Sequence, residues 1–546
     1  MVRGARLAAS VLVALVAFGA AWVALLPGVA FWDTGELQAV GPLMGTAHPT
    51  GFPTYVLLGW LASVVLQPLG EPAFRMNVLS ALCLAVAAGV TVDLVRALTG
   101  WLVLGIAAGI ALALTPIAWA VATHAEAHSL HLALVAVLLW LLVAWDARVR
   151  GPGPRAGRGG PDGPAGDADH LADRGDRYLV AAAIVFGLAV GNHSLTLLLA
   201  VPVGLYVLAV DPRIWRRGRL VLACAGALAL TLVIVYLELP LRAGPFRAAL
   251  VYGTPNTWEG FKYIVLAEQF QGSLSDPFGQ LPSKFAELVA RTTTQFGILA
   301  PLIPVAFVAT AVRRPRYALL TGTAAAITCF FAASYVNADI SRYYLGPALM
   351  AWTWLAILAG VAVELLTGVA DGRRTDPRGA VAADLPGPAG AVALGGPAGA
   401  RTRAGLVALV IAVALLVPTV FEAPARFESV DASHQVEAAT WVDHVFDVME
   451  PGAVIVSWWS YSTPMWYAQR VEGRRPDITI VDDRTRLDEN LGSLTDVIDA
   501  NLGVRPVYVI RFDRNEVASL PARYDLDYID GGDAGSLTRV IGRKAT

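Results

Sequence analysis

Apolar residues dominate the chain in long runs, separated by short polar or Gly/Pro-broken stretches. Windows long enough to cross a bilayer fall near 7–26, 75–97, 101–121, 127–145, 178–191, 194–210, 219–237, 293–312, 317–335, 344–368 and 404–421. A span needs about 20 mostly apolar residues, so these runs predict about eleven transmembrane helices, some of them short. The first run is longer than the apolar core of a signal peptide and reads as an uncleaved first span. Residues 53–69 are apolar too. Counting them as a span would put every later Arg cluster on the opposite side, so they read as a helix lying in or dipping into the outer leaflet.

Charge gives these spans a direction. Arg3, Arg6, Arg96 and the stretches "RVRGPGPRAGRGG", "DPRIWRRGR", "RRPR" and "DGRRTDPR" all fall on one side of the windows. The positive-inside rule makes that side, and the amino terminus, cytoplasmic. Residues 149–176 and 370–403 are rich in Gly, Pro, Ala and charge; both read as flexible cytoplasmic linkers.

After residue 421 the period changes. "ATWVDHVFDVME" reads as an amphipathic helix, "GAVIVS" as a strand, "PMWYAQRVEG" as a helix, and "DITIVDD" and "PVYVIRF" as further strands. Strands alternating with helices predict a small parallel α/β domain of roughly 120 residues. The expected fold class is therefore a polytopic α-helical plasma-membrane protein with a small C-terminal extracytoplasmic α/β domain. Residues 1–421 form the membrane unit, with a first outer loop at 27–74, and 422–546 form the tail.

Composition agrees with this pattern and removes other classes. The 546 residues are 56% hydrophobic and 15% charged, against about 25% charged in soluble domains. The formal net charge is −2, and the arginines gather in loops without forming a basic face, so no nucleic-acid partner is expected. Cys83, Cys224 and Cys329 sit inside apolar runs and offer neither a disulfide framework nor a metal spacing. The tail carries no G-x-G-x-x-G, and nothing indicates a nucleotide site.

The polar residues that are unusual in such a chain fall on the outer side. They are Asp33, Glu36 and His48 in the first loop, then His124, Glu126 and His128 in "THAEAHS", and Asn192 and His193 in "GNHS". Arg242 and Arg247 follow in "LPLRAGPFR", and Asp339, Arg342 and Tyr343 in "NADISRYY". Taken singly, an outer arginine reads as a headgroup anchor and a histidine as a satisfied polar residue. Convergence of acids, histidines and arginines from five loops onto one face points to a site. Carboxylates serve as a general base or bind a cation, and arginine suits phosphate through its bidentate fork. Together they describe transfer of a group from a lipid-linked phosphate to an acceptor hydroxyl, with the leaving phosphate stabilised. On a helix, a spacing of three puts Asp33 and Glu36 on one face. The competing structural role for Asp33 is a helix cap, and spacing alone does not choose between them.

These motifs resemble a known family. "DTGEL", "HPTGFPTYVLLGWL" and "RMNVLSAL" look like the signature of GT-C superfamily membrane glycosyltransferases. More narrowly, they resemble the transmembrane protein 260-like family, which includes protein O-mannosyltransferases. The family pattern runs acid-x-Gly-Glu-Leu, then His-Pro-Pro-Gly-Tyr-Pro. Asp33, Gly35, Glu36, His48, Pro49, Gly51 and Pro53 match it, and Thr50 and Phe52 depart from it. Glu126 matches an Ala-Glu-Val-Tyr element in which His128 replaces tyrosine. "GNHSLTLLLAVP", "YLELPLRA", "YGTPNTWEGF" and "SRYYLGP" bring Asn192, His193, Arg242, Trp258 and Arg342 into correspondence.

The resemblance implies a polyprenyl-phosphate sugar donor, a protein or glycan acceptor, inverting transfer, and catalysis by a first-loop acid. On that basis Asp33 is assigned as the base, Glu36 as its partner, and Arg242 and Arg342 as ligands of the lipid phosphate. His48 orients the acceptor or the acid pair. Glu126, His128, Asn192, His193, Trp258 and Tyr343 are assigned to substrate binding. Mannose is the sugar the resemblance suggests without fixing it. No cofactor is firmly implied; a divalent metal is compatible with paired acids but not indicated. Trp458, Trp459, Tyr461, Trp466 and Tyr467 read first as core aromatics of the tail and second as stacking surfaces. The rival class is a transporter or flippase of lipid-linked glycans. Repeated halves would be its sequence sign, and none is visible.

Overall fold

The computed structural model describes residues 2–149, 166–337, 339–368, 398–510, 518–530 and 535–544. The two expected linkers at 149–176 and 370–403 fall largely outside them.

Seven helices are long and apolar enough to cross a membrane: Gly4–Val23, Pro72–Thr99, Ala127–Val149, Gly218–Ala243, Pro315–Ser334, Ile340–Thr367 and Thr402–Val430. The pair Leu281–Leu299 and Leu302–Arg313, bent by 82°, makes eight if counted as one span. The expectation of about eleven is corrected accordingly, among the described residues. The window at 101–121 contains a helix of only 12 residues, Leu102–Ala113, followed by a separate short helix that starts at Pro116. Proline disfavours helix in the residue before it and lacks the N–H needed to continue the turn. The window at 194–210 opens as a 3-10 segment, Ser194–Leu199, and becomes α-helical only at Ala200. Pro202 is then in the first turn, where its missing N–H costs nothing. The window at 178–191 lies in the helix Gly166–Asn192, only part of which has described side chains. The apolar segment at 53–69 forms a helix of 13 residues, Pro53–Val65; at 1.5 Å per residue this is about 20 Å, too short to cross a core of about 30 Å.

Small residues let the spans approach one another. Ala17 and Ala21 of the first span and Ala81 and Ala88 of Pro72–Thr99 are fully buried where these two helices pack. Arg6, Arg96 and Arg314 meet at one end of the bundle, around Asp93 and Leu98. Arg6 Nε is 2.5 Å from Asp93 Oδ1, and Arg314 Nε donates to the Leu98 carbonyl at 3.0 Å.

The last span continues to Val430, so the change of sequence character at 421 falls inside a helix. Beyond it lies a five-stranded sheet: β1 (Val454–Val456), β2 (Thr479–Val481), β3 (Val507–Ile510), β4 (Tyr524–Tyr528) and β5 (Leu537–Arg543), in the order β2-β1-β3-β5-β4. β1 pairs parallel with β2 and β3, as expected, but β5 pairs antiparallel with β3 and β4. The sheet is mixed, not wholly parallel. Alternate β1 residues enter opposite cores, as the two-residue period of a strand requires. Ile455 packs with Phe446 and Met465, while Val454 and Val456 pack with Leu494 and Ile498.

Candidate active site

The segment 27–74, expected as the first outer loop, contains the helix Pro53–Val65 and, before it, the helix Trp32–Leu43. Asp33 is in its first turn, but Phe31 is the capping residue and makes no side-chain cap bond. The helix-cap role is therefore not what Asp33 performs. Its Oδ1 accepts from Trp459 Nε1 at 3.0 Å, and its Oδ2 is 3.6 Å from Arg342 Nη2.

One turn further, Glu36 is buried and faces His48. The His48 backbone N–H donates to Glu36 Oε1 at 2.7 Å, and its Nδ1 is 2.5 Å from Oε2. The loop that carries His48 is held at both ends. Thr46 pairs with the 250–252 strand-like segment through N–H to Leu250 O and O to Tyr252 N–H, both at 3.1 Å. Gly51 closes the other end at φ +78°, a conformation that favours glycine, and a Cβ there would press on Ile264 and Leu239. Burial by itself would lower the imidazole pKa, but the carboxylates of Glu36 and Asp33 outweigh it and push His48 up to about 9.

Glu126 is the second buried acid. Its Oε2 is 2.5 Å from Arg342 Nη1, and its Oε1 is 2.8 Å from His128 Nδ1. Burial opposes its charge, yet Arg342 and His128 hold its carboxyl well below the usual carboxylate range. Arg342 completes a third contact, Nε to Asp339 Oδ2 at 3.0 Å. His193 caps the 3-10 segment by accepting from Leu195 N–H at 3.0 Å, and its ring lies 4.6 Å from His128 and 5.7 Å from Tyr343.

These groups surround one cavity of about 610 Å³. Of the residues predicted from sequence, Asp33, His48, Glu126, His128, His193, Arg342 and Tyr343 line it. Four do not. Glu36 sits behind His48. Asn192 is fully buried, donating to Ala127 O at 2.9 Å. Arg242 faces away, donating from Nε to Met44 O at 2.8 Å and from Nη2 to Leu43 O at 2.9 Å. It satisfies orphan carbonyls at the end of the first-loop helix. Trp258 is 70% exposed and stacks on Phe261.

Sequence reasoning missed several contributors. The tail supplies Arg484, beside Tyr252 and Gln269, together with Trp459, which the sequence offered only as a core aromatic or a stacking surface. The Arg484 guanidinium lies 3.8 Å over the Tyr252 ring and pairs with Asp488 at 2.6 Å. Below the site, Asn77 and Gln38 form a buried polar link. Gln38 Nε2 donates to Asn77 Oδ1 at 2.9 Å, and the same oxygen accepts from Ala125 N–H at 2.8 Å. An asparagine within an apolar span was the available signal. Among the described residues, no group of three or more His, Cys, Asp or Glu side chains is arranged to hold a metal ion.

A multi-pass helical bundle whose first loop meets a small tail domain over a polar cavity is a fold this chain shares with solved ArnT structures. Residues 33–216 match the family described as "Protein O-mannosyl-transferase TMEM260 N-terminal domain". Mouse protein O-mannosyl-transferase TMEM260 is 27% identical over 364 residues, 62% of this chain and 47% of the mouse protein. The chain thus spans about half the length of the curated relative it matches.

Two crystal structures of ArnT from Cupriavidus metallidurans superpose over 97% of each chain. The undecaprenyl phosphate complex gives a TM-score of 0.56 at 16% identity, and the apo state 0.58 at 14%. An Archaeoglobus fulgidus oligosaccharyltransferase tethered to an acceptor peptide has a TM-score of 0.51 at 14% identity, covering 97% of this chain and 74% of that one.

Proposed function

We propose that this protein is a membrane glycosyltransferase that moves a sugar from a polyprenyl-phosphate donor to an acceptor hydroxyl on the extracytoplasmic side. Transfer proceeds with inversion and with Asp33 as general base. The observation that carries this reading is the position of Asp33. Its carboxylate is on the wall of the cavity and its side chain is 33% exposed, held by Arg342 and Trp459 but not consumed by a cap. Each carboxylate oxygen has two lone pairs, so two contacts leave capacity to take a proton. The acceptor O–H gives its proton to Asp33, its oxygen attacks the anomeric carbon in line, and the bond to the phosphate oxygen breaks with its electron pair leaving on phosphate.

The relatives fit this chemistry. One is named a protein O-mannosyl-transferase, one fold neighbour holds undecaprenyl phosphate, and another is tethered to an acceptor peptide. Mannose is accordingly the first sugar to test, with protein or glycan as acceptor. His48 serves the acid pair by holding Glu36, one helical turn from Asp33. His128, His193 and Tyr343 face the sugar. In this reading the basic end of the bundle and the amino terminus are cytoplasmic and the tail is outside, which places the cavity where a flipped lipid donor presents its sugar.

The test is direct. The purified full-length protein in nanodiscs is given radiolabelled polyprenyl-phosphate mannose, then the glucose and galactose forms, with solubilised envelope protein and glycan as acceptors. Label passing from lipid to acceptor with one of these donors supports the reading. Label retained on lipid with all of them contradicts it.

A further inference from the structure

The contact from Trp459 to Asp33 joins residues 426 apart in the chain. It brings a tail-domain side chain onto the carboxylate assigned as base. Trp459 starts the helix Trp459–Arg470, three residues after β1 ends at Val456, so the sheet fixes where its indole projects. The ring is held edge-on by Trp466 at 5.7 Å, His48 at 5.8 Å and Tyr252 at 5.9 Å. The helix that carries it packs on the first-loop helix. At that contact a Cβ on Gly35 would collide with the Ala30 carbonyl and with Thr463, so the two helices meet with no room for a side chain between them.

We propose that Trp459 is a positioning residue for the base, and that the tail domain is therefore an integral part of the active site and not an appended module. The inference rests on the reading of Asp33 as base. The torsion about the last bond of an aspartate is broad, so a partly exposed carboxylate samples many orientations unless both oxygens are held. Arg342 engages Oδ2 from the membrane unit and Trp459 engages Oδ1 from the tail. The indole N–H is a donor only; it fixes the carboxylate without being able to take or give the transferred proton. Arg342 at 3.6 Å is a looser constraint than the 3.0 Å indole bond, so the tail supplies the sharper of the two. The membrane unit alone would contain the acid but leave it rotating.

The experiment is a double-mutant cycle on the full-length protein with polyprenyl-phosphate mannose as donor. Trp459→Phe keeps the ring packing and deletes the N–H. It is expected to lower kcat about 10–100-fold, the cost of a misplaced catalytic group, and to leave the donor KM within about twofold. In an Asp33→Asn background the same change is expected to add no further loss, because the group it positions is gone. Losses that multiply in the cycle, or a raised KM with parental kcat, overturn the proposal and leave Trp459 as packing or as a substrate-stacking wall. If Asp33→Asn itself turns over like the parent, the base assignment falls and the positioning role falls with it. Asp33→Asn inactive with Trp459→Phe fully active overturns the positioning role alone. Should Trp459→Phe fail to fold, the indole N–H resonances of the ¹⁵N-Trp-labelled protein decide. Asp33→Asn is expected to move the Trp459 indole resonance upfield, and no movement of any indole resonance contradicts the contact.

Discussion

Arg342 Nη1 lies 2.5 Å from Glu126 Oε2, and the same guanidinium spans from that buried acid to the carboxylate of Asp33. One cation thus bridges two loops and ties the candidate base to the interior. Removing one partner of a buried pair leaves an uncompensated charge and costs about 3–5 kcal/mol. Arg342 keeps Asp33 and Asp339 as partners when Glu126 is changed, so Glu126→Gln is expected to lose less than that, about 1–3 kcal/mol, in denaturant unfolding. A loss under about 1 kcal/mol would show that the pair does not carry the loop packing.

Arg242 offers the clearest division between structure and substrate. Its two nitrogens hold two carbonyls at the end of the first-loop helix. Arg242→Lys keeps the charge but loses the fork. It is expected to cost about 1.5–3 kcal/mol, the range for a hydrogen bond to a charged group, with the donor KM unchanged. A raised donor KM at parental stability would return Arg242 to the role of phosphate ligand.

Much of the site was legible because ionisable groups are scarce in such a chain. Asp33, His48, Glu126, His128, His193 and Arg342 stand out against apolar sequence, and parity alone puts them on one side. Sequence does not say where an arginine's fork points, so Arg242 and Arg342 looked equivalent, although one lines the cavity and the other props a helix. The contact of Trp459 with Asp33 was illegible for a related reason, although the ring itself was offered as a stacking surface. An aromatic in a helix that packs on a strand reads as core, and only the folded chain brings its N–H to an acid in the first loop. The spans were over-counted because hydropathy sums over Pro116 and over the 3-10 turn at Ser194–Leu199, where the backbone breaks the helix. In the tail, β4 and β5 turn the sheet mixed; the β4 sequence "YDLDY" is too acidic to announce a strand.

The pair of His48 with Glu36 predicts a pH dependence of definite sign. The imidazole rises from 6.5 to about 9 in the folded protein, so folding favours its protonated form. That contribution is fully present below about pH 6.5 and is lost as pH rises through about 9. Thermal unfolding of the parent is expected to shift to lower temperature across this window. His48→Gln is expected to be less stable than the parent at pH 6.5 and flatter across the same range. Equal slopes for both proteins would show that His48 is not the titrating group.

The most direct test of the central claim is the turnover of Asp33→Asn with radiolabelled polyprenyl-phosphate mannose, beside an equilibrium measurement of donor binding. Asparagine keeps the size of aspartate and can still accept the Trp459 N–H, but it cannot take a proton. A lost general base costs about 10²–10⁴ in rate, and donor affinity is expected to stay at the parental value because the base acts on the acceptor. Turnover within a few-fold of the parent, with Glu36→Gln equally benign, would contradict Asp33 as the base.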